Sequence, residues 1–204
     1  HSSYANETKM APHSDNERLE FLGDAVLEIV SSEFLFRNYP DLPEGELTRR
    51  RAALVCESSL AASARELSLG KYLKLSVGED KTGGRERPSV LSDAFEATIG
   101  AMYLDGGLKN TKKYIRENVL KNVEEKVMFF DSKTSLQEVV QSWHSGALSY
   151  RVIDEKGPSH KKIFTVEALV GDNVLGTGSG NSKKNAEQEA AYNALLMLKE
   201  KGKI

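Results

Sequence analysis

The stretch ERLEFLGDA, residues 17–25, combines two patterns that an ordinary surface helix keeps apart. Glu17, Glu20 and Asp24 recur at i, i+3 and i+7, so a helix places their three carboxylates on one face. The apolar residues of another face are expected to enter the core: Leu19, Leu22 and Val26. Because stacked carboxylates repel one another and Gly23 weakens a helix interior, this helix breaks two local rules. Such breaks point to a functional site.

A second acidic motif lies about 70 residues later, in SDAFEATIGAMYLDGG, residues 92–107. Its two carboxylates stand at i and i+3 within an apolar helix, where Gly100 and Ala101 would let another helix approach closely. Two such helices packed face to face would gather hard oxygen ligands that suit Mg²⁺ or Mn²⁺. The four carboxylates concerned are Glu20, Asp24, Asp93 and Glu96. From the pattern alone, solvated acidic faces remain an equally good interpretation.

Residues 1–128 are predicted to be almost entirely helical. Apolar periodicity indicates helices over residues 17–37, 45–67, 89–104 and 111–127. Tyr39-Pro40 ends the first of them, and Asp105-Gly106-Gly107 is expected to end the third. Residues 76–88 are rich in glycine and charge, and we expect them to form a loop.

The pattern changes after Phe130. Residues 131–145 suit a short helix, and the segments 150–154, 164–170 and 174–179 suit strands, with a hairpin turn at 171–173. Residues 182–201 form a closing helix with an apolar stripe of Ala186, Ala190, Ala194 and Leu198. The fold class is therefore an all-α domain, residues 1–128, followed by an α+β domain, residues 131–204, with the order helix, three strands, helix.

Charge and cysteine content restrict the class of protein. The chain has 28 Lys+Arg and 30 Asp+Glu, a net charge of −2, so nucleic-acid binding would need local basic patches. Residues 1–128 hold 18 Lys+Arg and 21 Asp+Glu, and residues 129–204 hold 10 and 9. Cys56 is the only cysteine, so an intrachain disulfide is excluded, and we interpret it as a small buried apolar residue. A single thiol fits a reducing cytoplasm, where we expect the protein to be located. No membrane contact is expected, since no apolar run approaches about 18 residues.

ERLEFLGDA resembles the signature of the ribonuclease III family residue for residue. HSSYANE, residues 1–7, and DAFEATIGAMYLDGG, residues 93–107, resemble neighbouring family stretches. The family normally carries a further helix upstream, which we expect to be missing here. The resemblance implies catalytic positions at Glu17, Glu20, Asp24, Asp93 and Glu96. It implies metal ligation by Glu20, Asp93 and Glu96, and substrate handling by Glu44 and Glu79.

The C-terminal half resembles a double-stranded-RNA-binding domain in its element order and in SKKNAEQEAA, residues 182–191. Lys183 and Lys184 stand in the first turn of the last helix, where the helix dipole disfavours cations unless a phosphate docks there. From the dipeptide alone, two solvated lysines remain the simpler interpretation. The resemblance implies that Gln137, Glu138 and His160 meet the RNA minor groove while the two lysines meet phosphates across the major groove.

The two resemblances together imply a double-strand-specific endoribonuclease. Its expected substrates are rRNA and mRNA precursors, cut to 5′-phosphate and 3′-hydroxyl ends with short 3′ overhangs. Mg²⁺ is the expected cofactor, with Mn²⁺ able to substitute, and no small-molecule cofactor is expected. Two other classes remain as alternatives. Intact carboxylates argue against a non-catalytic RNA binder, such as a ribosome-associated relative. A scaffold that uses the helical half only to dimerise would have no affinity for RNA.

A homodimer through the nuclease half is expected, because a two-fold axis presents two sites to two antiparallel strands. Candidate interface residues lie on the signature helix: Phe21, Leu22, Ala25 and Phe34. The alternative for these four residues is the protomer's own core.

Overall fold

The computed structural model of the chain describes residues 1–143, 146–158 and 162–204. These residues form two compact units, His1–Val123 and Glu124–Ile204. The first unit is helical, and the second carries a three-stranded antiparallel sheet flanked by helices, which confirms the predicted fold class. None of the described helices combines the length and the apolar character that crossing a membrane requires.

The first unit contains six α-helices and two single-turn 3₁₀ helices among its described residues. The α-helices are α1 Ser2–Glu7, α2 Glu17–Asn38, α3 Glu44–Val55, α4 Glu57–Glu66, α5 Val77–Lys81 and α6 Pro88–Asn118, and the 3₁₀ turns are Leu69–Tyr72 and Gly84–Glu86. The single helix predicted over residues 45–67 is wrong. Extended backbone at Cys56, with ψ of 154°, redirects the chain so that α4 packs against α6. The Cys56 side chain is half-buried rather than fully buried.

The glycine pair at residues 106–107 bends α6 instead of ending it. Gly107 has φ 69° and ψ 175°, a conformation that favours glycine, and the helix resumes beyond it as far as Asn118. Asn122 then adopts a positive φ of 54° before α7, Val123–Phe130. The helix predicted over residues 111–127 is therefore divided between the end of α6 and α7.

The segment at residues 76–88, predicted to be a loop, is a tightly bonded structure that contains α5. Arg85 is its centre. The Arg85 guanidinium donates to both oxygens of Asp80 at 2.8 and 3.0 Å and to the carbonyl oxygens of Gly70 and Leu73 at 3.0 and 2.7 Å. Bidentate pairing of this kind fixes geometry as well as adding energy. Charge in this segment therefore orders the chain that leads into α6.

Helix α1 secures the start of the same segment. The Glu7 carboxylate accepts hydrogen bonds from the Val77 amide at 3.1 and 3.3 Å, and the Ser3 hydroxyl accepts one from the Ser76 amide at 3.1 Å. A carboxylate at a helix N-terminus satisfies amides that have no partner within the helix. HSSYANE therefore caps the first turn of α5.

The second unit comprises most of α7, then α8 Ser132–Ser142, β1 Leu148–Lys156, β2 Ile163–Val170, β3 Asn173–Gly180 and α9 Lys183–Glu200. The strands pair in the order β1-β2-β3, with Val152 opposite Val166 and Glu167 opposite Thr177. One face of the sheet packs on α8 and α9, and Trp143 and Tyr150 lie against this core. The end of the helix predicted over 131–145 lies partly outside the described residues.

Helix α9 rests directly on the backbone of β3. A Cβ on Gly176 would lie 2.5 Å from the Ala190 carbonyl oxygen, and a Cβ on Gly178 would lie 2.2 Å from the Ala190 amide nitrogen. The alanine stripe predicted for α9 is fully buried here. Alternate glycines of β3 and alanines of α9 thus bring helix and sheet together at a distance that larger residues would prevent.

Candidate functional site

Helices α2 and α6 cross backbone to backbone at two glycines. A Cβ on Gly23 would lie 1.8 Å from the Glu96 carbonyl oxygen, and one on Gly100 would lie 2.1 Å from the Leu19 carbonyl oxygen. Both separations are far below van der Waals contact, so no other residue fits at either position. Ala101, also expected at this contact, is exposed instead. The helix-weakening Gly23 of the signature is therefore explained by the crossing.

The crossing brings together three carboxylates from the two acidic motifs. Glu20, Asp93 and Glu96 each offer an oxygen within 4.8 Å of the others, and all three side chains are half-buried. Buried apolar residues surround them on both helices, among them Val26, Ala94 and Phe95. The chain thus holds three like charges together in a partly desolvated position, which is unfavourable without a compensating cation.

The electrostatic cost raises the pKa values of the same groups. Burial, followed by the negative charges of Asp24, Glu20 and Asp93, raises the pKa of Glu96 from 4.5 to about 7. Burial and the neighbouring Asp93 raise the pKa of Glu20. Burial also raises the pKa of Asp93, against the opposing effect of a hydrogen bond from Ser92. A bound divalent cation would reverse this balance by favouring the ionised forms.

Asp24 and Glu17 flank the cluster without joining it. Both side chains are exposed on α2. Asp24 contributes, after burial, to the raised pKa of Glu96, and Glu17 contributes to that of Asp93. Both charges therefore lie close enough to strengthen the negative potential at the cluster.

The structure does not bring Glu44 or Glu79 to the cluster. Glu44 is the exposed first residue of α3, where its carboxylate accepts a hydrogen bond from the Thr48 hydroxyl at 2.9 Å. The Glu79 carboxylate lies 2.5 Å from the Arg87 guanidinium, with only 18% of its side chain exposed. In this structure, Glu79 links α5 to the residue that precedes α6.

One carboxylate near the cluster, that of Glu28, was not predicted from the sequence. Glu28 is one turn beyond Asp24 and contributes to the raised pKa of Glu96, after burial and the nearer carboxylates. Arg51 of α3 holds it, at 2.9 Å from the Glu28 carboxylate and 2.8 Å from the Ser32 hydroxyl. The spacing of Glu28 from Asp24 was a signal that could have revealed it. Arg51 belongs to the run Arg49-Arg50-Arg51, of which the sequence predicts that one member contacts RNA or a carboxylate without indicating which.

The donor set fits a hard divalent cation. Mg²⁺ prefers carboxylate oxygens at about 2.0–2.1 Å, so two of its ligand atoms lie at most about 4.2 Å apart. The 4.8 Å spread of the carboxylate oxygens is slightly larger, and small side-chain rotations would close it. The site can therefore hold a metal ion without movement of the helices that carry it.

The residues predicted to meet RNA lie on the second unit. Gln137 and Glu138 are exposed on α8, and Lys183 and Lys184 are exposed in the first turn of α9. The Ser182 hydroxyl caps this turn by accepting from the Asn185 amide at 3.2 Å. His160 lies outside the described residues.

A neighbouring carboxylate partly balances the charges of Lys183 and Lys162. Glu155 of β1 lies 3.7 Å from the Lys183 ammonium and 2.8 Å from that of Lys162. Both ammonium groups also lie over the ring of Phe164, at 5.8 and 5.6 Å from its centroid. Lys183 therefore has a carboxylate and an aromatic ring as neighbours, while 59% of its side chain stays exposed.

A helical unit with an acidic cluster at a helix crossing, followed by an α-β-β-β-α unit, has the features of a nuclease that acts on structured RNA. Comparison with known proteins agrees: residues 1–123 match the family Ribonuclease-III-like, and residues 132–198 match the Double-stranded RNA binding motif. The chain belongs to the ribonuclease III family and is a double-strand-specific endoribonuclease.

Individual relatives cover nearly the whole chain. Ribonuclease 3 of Bacillus cereus (strain G9842) is 52% identical over 202 residues, which are 98% of this chain and 82% of the relative. Ribonuclease 3 of Bacillus anthracis (strain A0248) is similar to the same extent. Among solved structures, the nuclease domain of the Campylobacter jejuni ribonuclease III has 47% identity and a TM-score of 0.52, over 55% of this chain and 76% of that one.

Proposed function

We propose that the chain processes rRNA and mRNA precursors in the cytoplasm by cutting both strands of their duplex segments. Water attacks phosphorus, the bond to the 3′-oxygen breaks, and the products carry a 5′-phosphate and a 3′-hydroxyl with short 3′ overhangs. The observation that carries the proposal is the convergence of Glu20, Asp93 and Glu96 within 4.8 Å on a chain that also has an RNA-binding unit. Among the residues that the structure describes, no lysine or arginine forms an ion pair with these three carboxylates, and the Ser92 hydroxyl, which donates to Asp93 at 3.3 Å, adds no positive charge.

Glu20, Asp93 and Glu96 are the proposed ligands of Mg²⁺, with Mn²⁺ able to substitute. A bound divalent ion lowers the pKa of the attacking water and neutralises charge that develops on the phosphoryl oxygens. Asp24 and Glu17 add negative potential at the rim of the site and so favour cation binding. The helix crossing keeps the ligands in place while the substrate enters.

The second unit supplies the proposed grip on the duplex. Lys183 and Lys184 meet phosphates across the major groove, while Gln137, Glu138 and His160 meet the minor groove and its 2′-hydroxyls. Support comes from the exposure of the four described residues and from the capped N-terminus of α9, where amides and ammonium groups favour a phosphate. Recognition of this kind reads duplex shape more than sequence.

A homodimer through α2 is the proposed active form. Phe21, Ile29 and Phe36 are 81%, 63% and 73% exposed on this helix, although large apolar side chains normally lie inside. Ile29 and Phe36, together with Leu47, line part of an open, mainly apolar groove of about 510 Å³. Of the four residues predicted for the interface, Phe21 and Ala25 are exposed, whereas Leu22 and Phe34 are half-buried. A second copy covering Phe21 would place two carboxylate clusters against opposite strands.

Cleavage of a long RNA duplex with and without Mg²⁺ tests this function, with single-stranded RNA of the same sequence as the substrate control. Glu96→Gln should remove most cleavage while leaving duplex affinity nearly unchanged, because it removes a ligand charge and no phosphate contact. Glu57→Gln, at an exposed glutamate of α4, is the matched control and should cut normally. Cleavage that is independent of Mg²⁺, or full activity of the Glu96 variant, would contradict the proposal.

A further inference from the structure

A basic groove lies toward the other end of α2 from the carboxylate cluster. It consists of Arg37 of α2 with Lys109, Lys112, Lys113 and Arg116 of α6. Two adjoining depressions of about 580 and 290 Å³ form it, and both are lined by Lys112 and Arg116. The groove is wide and open to solvent.

The cations of the groove outnumber the carboxylates that face them. Glu33 pairs with Arg37 at 3.0 Å and with Lys112. Lys113 has only Glu117, at 3.9 Å. Among the residues that the structure describes, Lys109 and Arg116 form no ion pair with any carboxylate. Five cations therefore share two carboxylates, and two of the cations remain unbalanced.

The excess of positive charge is confined to the groove, and it destabilises α6. Lys109, Lys112, Lys113 and Arg116 stand at i, i+3, i+4 and i+7 of α6, and like charges at these spacings destabilise a helix by a few tenths of a kcal/mol per pair. Residues 1–128 as a whole are acidic, with 18 Lys+Arg against 21 Asp+Glu, although these numbers include the cations of the groove. A row of cations on an acidic unit indicates a ligand of opposite charge.

We propose that the basic groove binds the sugar-phosphate backbone of the RNA duplex at a distance from the scissile bond. The inference rests on the proposed function, because the duplex is the ligand. Along α2, Glu33 lies about 20 Å from Glu20 by helical rise, a length of roughly seven base pairs of A-form RNA. An extended polyanion that is being cut at the carboxylate cluster can therefore reach the groove. An open row of ammonium and guanidinium groups suits a phosphate backbone, which carries charge at regular intervals.

The test compares two double variants by equilibrium binding of a long RNA duplex to the full chain. Lys109→Gln with Arg116→Gln removes the two unbalanced cations. Lys9→Gln with Lys71→Gln is matched in charge and removes exposed lysines of the same unit outside the groove. Loss of two phosphate contacts should make the fall in affinity between about 50 and 200 mM salt about tenfold smaller for the first variant. The matched variant should keep the salt dependence of the wild type.

A third variant changes the affinity in the opposite direction. Glu33→Gln releases Lys112 and Arg37 from their ion pairs, so it should tighten duplex binding and steepen its salt dependence. A short duplex that ends less than about 20 Å from the cut should be bound equally by the wild type and by the Lys109 and Arg116 variant. Equal affinity of all variants for the long duplex would overturn the proposal. An acidic protein surface would then be the alternative ligand of the groove.

Different results would contradict the groove proposal and the proposed function. Lys109 and Arg116 are remote from the carboxylates, so their variant should cut saturating RNA at the wild-type rate with a raised KM. If the wild type binds duplex and does not cut it, the proposed function is wrong and the binding comparison still decides the groove. If the wild type cuts and the groove variant shares its KM and salt dependence, only the groove proposal is wrong.

Discussion

Glu96→Gln should stabilise the metal-free protein at alkaline pH, although it destroys the proposed site. The folded chain raises the pKa of this carboxyl from 4.5 to about 7, chiefly because burial disfavours its charge. When folding raises the pKa of a carboxyl, the group costs no stability at a pH below its pKa in the unfolded chain, because it is protonated in both states. The cost grows as the pH rises from about 4.5 to about 7 and is complete above that. Glutamine has the same shape and no charge, so it avoids the cost.

The magnitude follows from the size of the pKa change. At about 1.4 kcal/mol per pH unit, a rise from 4.5 to about 7 corresponds to about 3 kcal/mol for a fully shielded group. Glu96 is half-exposed, and solvent screening reduces this to about 1.5 kcal/mol. The free energy of unfolding of the variant, minus that of the wild type, should therefore grow by about 1.5 kcal/mol between pH 5 and pH 8.

Urea unfolding in a chelator, followed by far-ultraviolet circular dichroism, measures this difference mainly in the helical unit. Trp143, the only tryptophan, lies in the second unit, so its fluorescence follows that unit separately. Glu33→Gln is a control whose effect should hardly change between pH 5 and pH 8: hydrogen bonds from Lys112 and Arg37 lower the pKa of Glu33 below its ordinary value of 4.5, so its stabilising contribution is lost only at more acidic pH. Added Mg²⁺ should stabilise the wild type more than the Glu96 variant. A difference that stays constant from pH 5 to pH 8 would refute the reasoning about the cluster.

Three further predictions concern the helix crossing, the dimer and the RNA grip. Gly23→Ala should lower the free energy of unfolding by at least about 1–3 kcal/mol, because its Cβ would overlap a backbone carbonyl of α6, whereas Gly45→Ala, with open space around it, should cause no loss in the same urea titration. Phe21→Asp should convert a dimer into a folded monomer that no longer cuts both strands, as sedimentation and cleavage would show; a monomeric wild type would contradict the dimer. Lys183→Ala with Lys184→Ala should weaken duplex binding and reduce its salt slope by roughly two, and an unchanged slope would mean that both lysines are merely solvated.

The sequence was most informative where the signal repeats within one element. The spacing of Glu17, Glu20 and Asp24 predicted a shared face of α2, and the alanine spacing of α9 predicted its buried stripe, since helical periodicity is a local property. The same reasoning missed the division at Cys56, where one extended residue inside an apolar pattern redirects the chain. It also took the charged segment at 76–88 for a loop, because charge alone does not reveal that Arg85 has partners to order it.

What converges at the site was decided by tertiary structure. Helical periodicity predicts which residues share a face of one helix. It does not predict which other helix crosses that face, or at which position along the helix axis the crossing lies. The close approach of the two helices at Gly23 and Gly100 sets that position, so that Glu20 lies beside Asp93 and Glu96 while Asp24 stays exposed at the edge of the cluster. The pairing of Glu79 with Arg87 and of Glu28 with Arg51 likewise joins separate elements. The carboxylates were therefore readable from the sequence, whereas their distances depend on how closely two backbones can approach.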